Sequence, residues 1–295
     1  MNFYERSDLA CESIPSQTDA VPGSDVRQEQ IGPFWIREMR ILDQEAAERL
    51  QKPVGHYLTV ECGRIHFLGD EDLDLLVHLL SGRLLGMARR LTGKEIDTEY
   101  SVLVAGLGNA EMTADAVGPK TVGLLNATRH LREHEHELYR SIGCAALSAL
   151  APGVLGQTGI ETLELLRGAV ECVSPDLVVV VDALAARSCE RLATTVQISD
   201  AGLEPGSGVG NHRSAISAQT LGVPVICIGV PTVVNSSTLV YDALKRAGIR
   251  EPDEALKSVL ESGKSFFVSP KECDVITSCF SKLLSRAISV TFTGV

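Results

Sequence analysis

The stretch SVLVAGLGNAEMTADAVGP, residues 101–119, decides the fold. Its first five residues, Ser101-Val-Leu-Val-Ala105, carry no charge and run into Gly106-Leu-Gly108, the chemistry of a buried strand turning tightly into a loop. A dinucleotide-binding α/β unit begins this way, with glycines that let the backbone approach a pyrophosphate. The third glycine of that fingerprint is missing. Glu111 stands in its place, and a further acid, Asp115, lies where a helix would settle onto phosphates. One reading is a nucleotide-binding α/β protein using Gly106-x-Gly108; the other is a loop that presents a carboxylate.

Outward from this loop the chain alternates apolar runs with helical segments. Beside the 102–105 run, strands are expected at 142–147, 177–181, 194–198 and 223–230, with helices over 117–134, 159–172 and 270–289. Apolar strands separated by helices predict an α/β fold: a mostly parallel twisted sheet with helices on both faces. In such sheets the functional loops gather at the carboxyl ends of the strands. Upstream, 36–42 and 57–68 alternate apolar and polar residues as strands do, and Leu73, Leu76, Leu80, Leu84, Met87 and Leu91 share one face of a helix over 70–91. Residues 1–32, with Pro15, Pro22, Gly23 and no periodicity, read as an extended or mobile leader, and order is expected from about Pro33.

With 295 residues, 44% of them hydrophobic, the chain can bury the core of a single α/β domain over 33–295. Its 27 basic and 38 acidic residues give a net charge of -11, which repels a polyanion and speaks against nucleic acid as a partner. Eight cysteines without a C-x-x-C pair, several in apolar surroundings such as Val225-Ile-Cys227-Ile228, suit reduced thiols in a cytoplasm. The N-terminus lacks the basic and apolar regions of a secretion signal, and no uninterrupted apolar run approaches the ~20 residues that span a bilayer, so no membrane partner is expected.

Two acids fall at strand ends: Asp115 in the loop after 102–105, and Asp182 directly after Leu177-Val-Val-Val-Val181. A carboxylate closing an apolar strand is costly to desolvate without a partner. Each could cap the helix that follows it. If the two strand ends are neighbours, the acids could instead share a proton and a water, one as base and the other as acid, or jointly hold a divalent metal. His130, His134 and His136 cluster downstream, but Leu131 follows His130 where a zinc peptidase would have Glu, so a hydrated helix face is expected. No G-x-S-x-G elbow is present. The turn Gly206-Ser207-Gly208 could point backbone N–H groups at a substrate carbonyl or an oxyanion.

Many segments resemble the germination protease (spore protease) family. They are Asp8-Leu-Ala10, Val104-Ala-Gly-Leu-Gly-Asn109, Asp115-Ala-Val-Gly-Pro119, Thr128-Arg-His-Leu131, Ala151-Pro-Gly-Val154, Thr158-Gly-Ile-Glu-Thr162, Asp182-Ala-Leu-Ala-Ala-Arg187, Gln197-Ile-Ser-Asp200, Pro205-Gly-Ser-Gly-Val-Gly-Asn211, Leu221-Gly-Val-Pro224, Gly229-Val-Pro-Thr-Val-Val234 and Pro270-Lys-Glu272, in family order along the chain. The resemblance implies a fold similar to the hydrogenase maturation peptidases. It also implies a cytoplasmic endopeptidase of the forespore and spore core, homotetrameric, that degrades small acid-soluble spore proteins at germination. Asp115 and Asp182 match the family's two essential aspartates, whether these act directly on water or through a divalent metal.

The same resemblance implies a zymogen that cuts itself where an acid stands at P4 and P1, a hydrophobic residue at P1' and Ala at P2'. Glu5-Arg-Ser-Asp8 followed by Leu9-Ala10 fits, giving a propeptide of residues 1–8 cut between Asp8 and Leu9, then an extended leader over 9–32. Two departures stand out: the 250–264 region is shorter than in the longer members, and Asn235 occupies a position where an acid is expected.

Overall fold

The computed structural model describes residues 7–13, 21–206, 213–249, 253–262 and 266–294. Its strands are β1 (Ser24–Ile31), β2 (Phe34–Ile41), β3 (Gly55–Glu61), β4 (Ser101–Gly106), β5 (Ala146–Leu150), β6 (Leu177–Ala186), β7 (Thr195–Ser199), β8 (Val225–Asn235) and β9 (Phe267–Val268). They form one sheet in the order β1-β2-β3-β7-β8-β6-β4-β5, with β9 alongside the end of β8. The fold is α/β as expected, but the sheet is mixed. Only β5-β4-β6-β8 is parallel, and the pairs from β8 through β7 and β3 to β1 are antiparallel.

Order begins earlier than the leader's composition suggested. Ser24–Ile31 is the edge strand β1, with Arg27, Gln28, Glu29 and Gln30 exposed. A polar edge strand protects the sheet from further pairing, and the same polarity hides its alternation from a sequence reading. At the other critical place the strand is longer than expected. β6 does not stop at Val181 to let Asp182 cap a helix; it continues through Ala183-Leu-Ala-Ala186, paired with Val230 to Val234 of β8 across a bulge. Pairing along β8 overrides the helical preference of the alanines.

The helices are α1 (Gln44–Leu50), α2 (Asp70–Thr92), α3 (Val117–Gly123), α4 (Arg129–His134), α5 (His136–Ile142), α6 (Leu155–Thr158), α7 (Thr162–Val173), α8 (Ala218–Leu221), α9 (Ser236–Arg246), α10 (Glu254–Ser262) and α11 (Cys273–Phe292). The single helix expected over 117–134 is broken. Thr128 holds the intervening segment to the sheet: its N–H donates to Leu147 O, its hydroxyl donates to Ala145 O and accepts from Leu147 N. Each of those bonds draws backbone out of the helical pattern.

Alternation along the central strands sends Val102, Val104, Val179, Val181, Ile226 and Ile228 onto α2 and α11, and Leu103, Ala105, Val178, Val180 and Cys227 onto α7 and α8. Asp182 follows Val178 and Val180 in that period, so it belongs to the α7 side. By length and composition α11 is apolar enough to cross a bilayer, unlike what the interrupted run suggested; most of it is buried as the core helix packed on α2 and α3. The eight cysteines are free thiols, five of them buried.

Candidate active site

The loop after β4 is shaped by glycines that have no room for a side chain. A Cβ on Gly106 would lie 2.1 Å from Gly118 O, and one on Gly108, at φ +109°, would lie 2.0 Å from Asp115 O. The chain therefore folds back on itself, and the Asn109 N–H donates to Asp115 Oδ2 at 2.7 Å. In a phosphate loop those N–H groups would face an anion from outside. Here the anion is the loop's own carboxylate.

Three hydroxyls fasten the turn that carries Asp115. Thr232 Oγ1 donates to Ala114 O (2.6 Å), Thr277 Oγ1 to Thr113 O (3.0 Å) and Ser281 Oγ to Val117 O (3.2 Å), tying the loop to β8 and α11. The last rung of the β4–β6 ladder is Gly106 against Val181, and Leu107 N donates to Val181 O at 2.8 Å. Asp182 is the next residue of β6. The loop and the strand thus bring the two acids together, as the reading of adjacent strand ends required.

Their environments differ. Asp182 is 6% exposed; burial, and after it the charge of Asp115, drives its proton affinity well above the usual carboxylate range, against the opposing bond from Ala183 N–H to Oδ1 at 2.9 Å. Asp115 is half-buried, and its smaller rise comes from desolvation partly offset by the Asn109 N–H. Of the two, Asp182 is the one whose environment favours the protonated form more.

Asp182 also stands in a row. It pairs with Gly229 of β8, which pairs in turn with Gln197 of β7, so all three point to the same face. Between Asp182 and Gln197, ~10 Å apart by strand spacing, Gly229 contributes no side chain of its own, and the Leu184 side chain stands over it. The row is part of a cleft of about 480 Å³ lined by Ser7, Asp8, Lys52, Asp182, Leu184 and Gln197, among others.

The leader lies in this cleft. Beyond Val181 the edge of β6 that faced β4 is free, and Asp8 occupies it: Asp8 N donates to Ala185 O (2.9 Å) and Ala185 N donates to Asp8 Oδ2 (2.8 Å). Leu9, 0% exposed, packs with Cys11 on Leu184 and Ala186, on the same face as Asp182 two residues back. Ala10 is enclosed by Met39, Ile41, Ala46, Ala47, Leu50 and Tyr57. Asp8 is close enough for its charge to raise Asp182 further. Glu12 anchors the far end, accepting from the N–H groups of Arg187 and Ser188 and from the Ser7 hydroxyl. Lys52 Nζ donates to Ser7 O at 2.7 Å in the fields of Asp8 and Glu12.

The other candidates divide. Gly206 lines the same cleft, while Ser207 and Gly208, like Glu5, lie outside the described residues. His130, His134 and His136 are exposed on α4 and α5, away from both acids. Asn235 is a helix cap, its side chain accepting from Ser237 N at 2.9 Å. Among the described residues no group of three or more His, Cys, Asp or Glu side chains is arranged to hold a metal ion. Asp115 and Asp182 alone would leave most of a divalent ion's ligand sphere to water.

Sequence reasoning missed Gln197, Lys52, Glu12 and Thr232 as site residues. Gln197 and Thr232 did leave a signal: a polar residue in the middle of an apolar strand needs a buried partner.

Comparison with known proteins decides the family. The family model for germination protease matches residues 4–267. The chain belongs to the germination protease family. Germination proteases from Caldanaerobacter subterraneus subsp. tengcongensis (38% identical over 97% of this chain and 93% of the relative), Priestia megaterium (40%; 89% and 72%) and Bacillus pumilus (41%; 84% and 67%) are among its relatives. Membership in the germination protease family makes the chain a peptidase with a spore protease function, its substrates proteins of the spore. A NiFe hydrogenase maturation protease from Thermococcus kodakarensis also matches 62% of this chain and 93% of its own, at 19% identity and a TM-score of 0.27. At that score the likeness adds nothing to the reading of the germination protease fold.

Proposed function

We propose that this peptidase is a self-processing endopeptidase that cuts its own chain between Asp8 and Leu9, then starts the degradation of small acid-soluble spore proteins at sites of the same kind. One observation carries the reading: the Asp8–Leu9 segment is laid along the free edge of β6 in the cleft that Asp182 lines. The surroundings of the segment match the specificity. Leu9 is buried against apolar side chains, as suits a hydrophobic P1' residue, and the fully buried Ala10 among six hydrophobic residues suits a small P2' residue. We further assign the enzyme to the forespore and spore core as a homotetramer, on the family resemblance.

In this reading Asp115 takes a proton from a water as the water oxygen attacks the Asp8 carbonyl carbon, and Asp182 gives its proton toward the departing Leu9 nitrogen. The Asp8–Leu9 bond breaks to a carboxyl group and an amine. No covalent intermediate forms. The nucleotide-binding alternative is not favoured, because the Gly106-x-Gly108 loop spends its Asn109 N–H on Asp115.

The test is to incubate the purified chain with and without a chelator and read new N-termini by mass spectrometry, for the wild type, Asp115→Asn and Asp182→Asn. A wild-type fragment beginning at Leu9, absent from both variants and indifferent to chelator, is expected. Cutting that persists in both variants would sink the two-aspartate mechanism, and loss with chelator alone would assign the acids to a metal.

A further inference from the structure

Gln197 has a relation to the Asp8–Leu9 bond that neither the acids nor the leader's sequence explains. Its side-chain carbonyl Oε1 accepts from Ala10 N at 2.7 Å, and its Nε2 donates to Asp8 O at 3.3 Å. These two atoms of the substrate-like segment lie on either side of the peptide bond between residues 8 and 9. One amide group therefore spans that bond. Its orientation is not free: an N–H donor at Ala10 requires the oxygen end there, which leaves the NH2 end facing the carbonyl of Asp8.

The position is built rather than incidental. Gln197 is 8% exposed, in the middle of β7, with Thr59 of β3 on one side and Gly229 of β8 on the other. Gly229 lies between it and Asp182 in the row, with the Leu184 side chain standing over the glycine, so an acid and an amide flank the floor of the cleft that holds the segment. A buried amide donor beside a carbonyl gains strength as negative charge develops on that oxygen, because the low dielectric leaves water no share in the charge.

We infer that Gln197 is a catalytic residue of this peptidase, clamping the scissile peptide in register through the P2' N–H and holding the P1 carbonyl oxygen as it becomes an oxyanion. This rests on the cleavage proposed between Asp8 and Leu9. When the water oxygen bonds to the Asp8 carbonyl carbon, the C=O electron pair moves to the oxygen and Nε2–H holds it. The pair returns as the C–N bond breaks and Leu9 leaves with the proton from Asp182. The P1' and P2' side chains are read by Leu184, Ala186 and the Ala10 pocket; Gln197 reads only backbone and serves any sequence placed there.

The experiment measures full-length Gln197→Glu and Gln197→Leu beside the wild type, following the fragment that begins at Leu9 and, in trans, a peptide with an acid-hydrophobic-Ala site. Loss of one oxyanion donor predicts a fall of about 10²–10³ in kcat for both variants, with thermal unfolding confirming that they are folded. Gln197→Glu adds a signature that a merely structural role would not give. Its deficit relative to the wild type shrinks as pH falls, because a protonated Glu regains a donor for the carbonyl. Rates within threefold of the wild type in both variants would overturn the inference, as would a wild-type cut at a bond other than Asp8–Leu9, which would leave the peptidase reading standing. Persistence of cutting in Asp115→Asn and Asp182→Asn together with loss in the Gln197 variants would sink the two-aspartate mechanism and support Gln197.

Discussion

Asp182 and Asp115 stand together across the ends of β6 and β4, and the charge of Asp115 raises the proton affinity of Asp182. Burial raises the Asp182 pKa most and the Asp115 charge adds to it, while Asp115 itself rises less. The sign for stability follows. A carboxylate whose folded pKa lies above its unfolded one binds more protons in the folded state, so it costs nothing below the unfolded pKa and destabilises increasingly as pH rises toward the folded one. Asp182→Asn removes that cost. Its Tm is expected to exceed the wild type's at pH 7, the underlying stability difference growing by at most about 1.4 kcal/mol per pH unit above ~4 and closing below it, while self-cleavage is lost. Thermal melts of the two proteins from pH 4 to pH 8 check this, and a Tm gap independent of pH would contradict it.

Gly108 is where the loop turns onto Asp115. At φ +109° with only 2.0 Å between a would-be Cβ and Asp115 O, the position excludes every other residue. Gly108→Ala forces the loop open, with a cost of at least about 2 kcal/mol from the backbone conformation and the displaced contact. Self-cleavage should fall by more than tenfold, because the Asn109 bond that holds the carboxylate goes with the turn. Denaturant melts and the rate of appearance of the Leu9 terminus measure the two effects separately.

The leader's own acid, Glu12, ties the segment to the chain just past β6. Buried at 5% exposure, it accepts from the N–H groups of Arg187 and Ser188 and stands 3.7 Å from Arg191. Glu12→Ala frees the segment that runs through the cleft, so cutting at Asp8–Leu9 slows while cutting of an added peptide speeds up, the leader no longer competing for the same edge of β6. A parallel fall in both rates would mean that Glu12 supports the site instead of the leader.

How much of this was legible in the sequence depends on which bonds are local. The β4 loop and both acids could be read because apolar runs and glycines report directly on burial and turning. β1 could not, since a polar edge strand has no core side to reveal its period. The continuation of β6 past Asp182 was equally hidden: Ala183 to Ala186 are strand only because β8 lies beside them. Gln197 and Lys52 act on the leader across 189 and 45 residues of sequence, and no local pattern encodes such a contact.

Lys52 should set the demand for an acid at position 8. It donates to Ser7 O and lies in the field of Asp8, whose charge, followed by that of Glu12, opposes the lowering of its pKa by desolvation. A cation held in a partly buried place attracts an anionic P1 side chain more than a neutral isostere, while Ala185 N–H accommodates either oxygen. Asp8→Asn in the wild type should slow self-cleavage about tenfold, equivalent to ~1.4 kcal/mol. In Lys52→Met the first rate is lower already, and the further loss on Asp8→Asn should shrink to less than threefold. The double-mutant cycle, read as rates of Leu9 terminus formation, isolates the coupling between the two side chains. Equal losses on Asp8→Asn with and without Lys52 would mean that Lys52 does not set the acid preference.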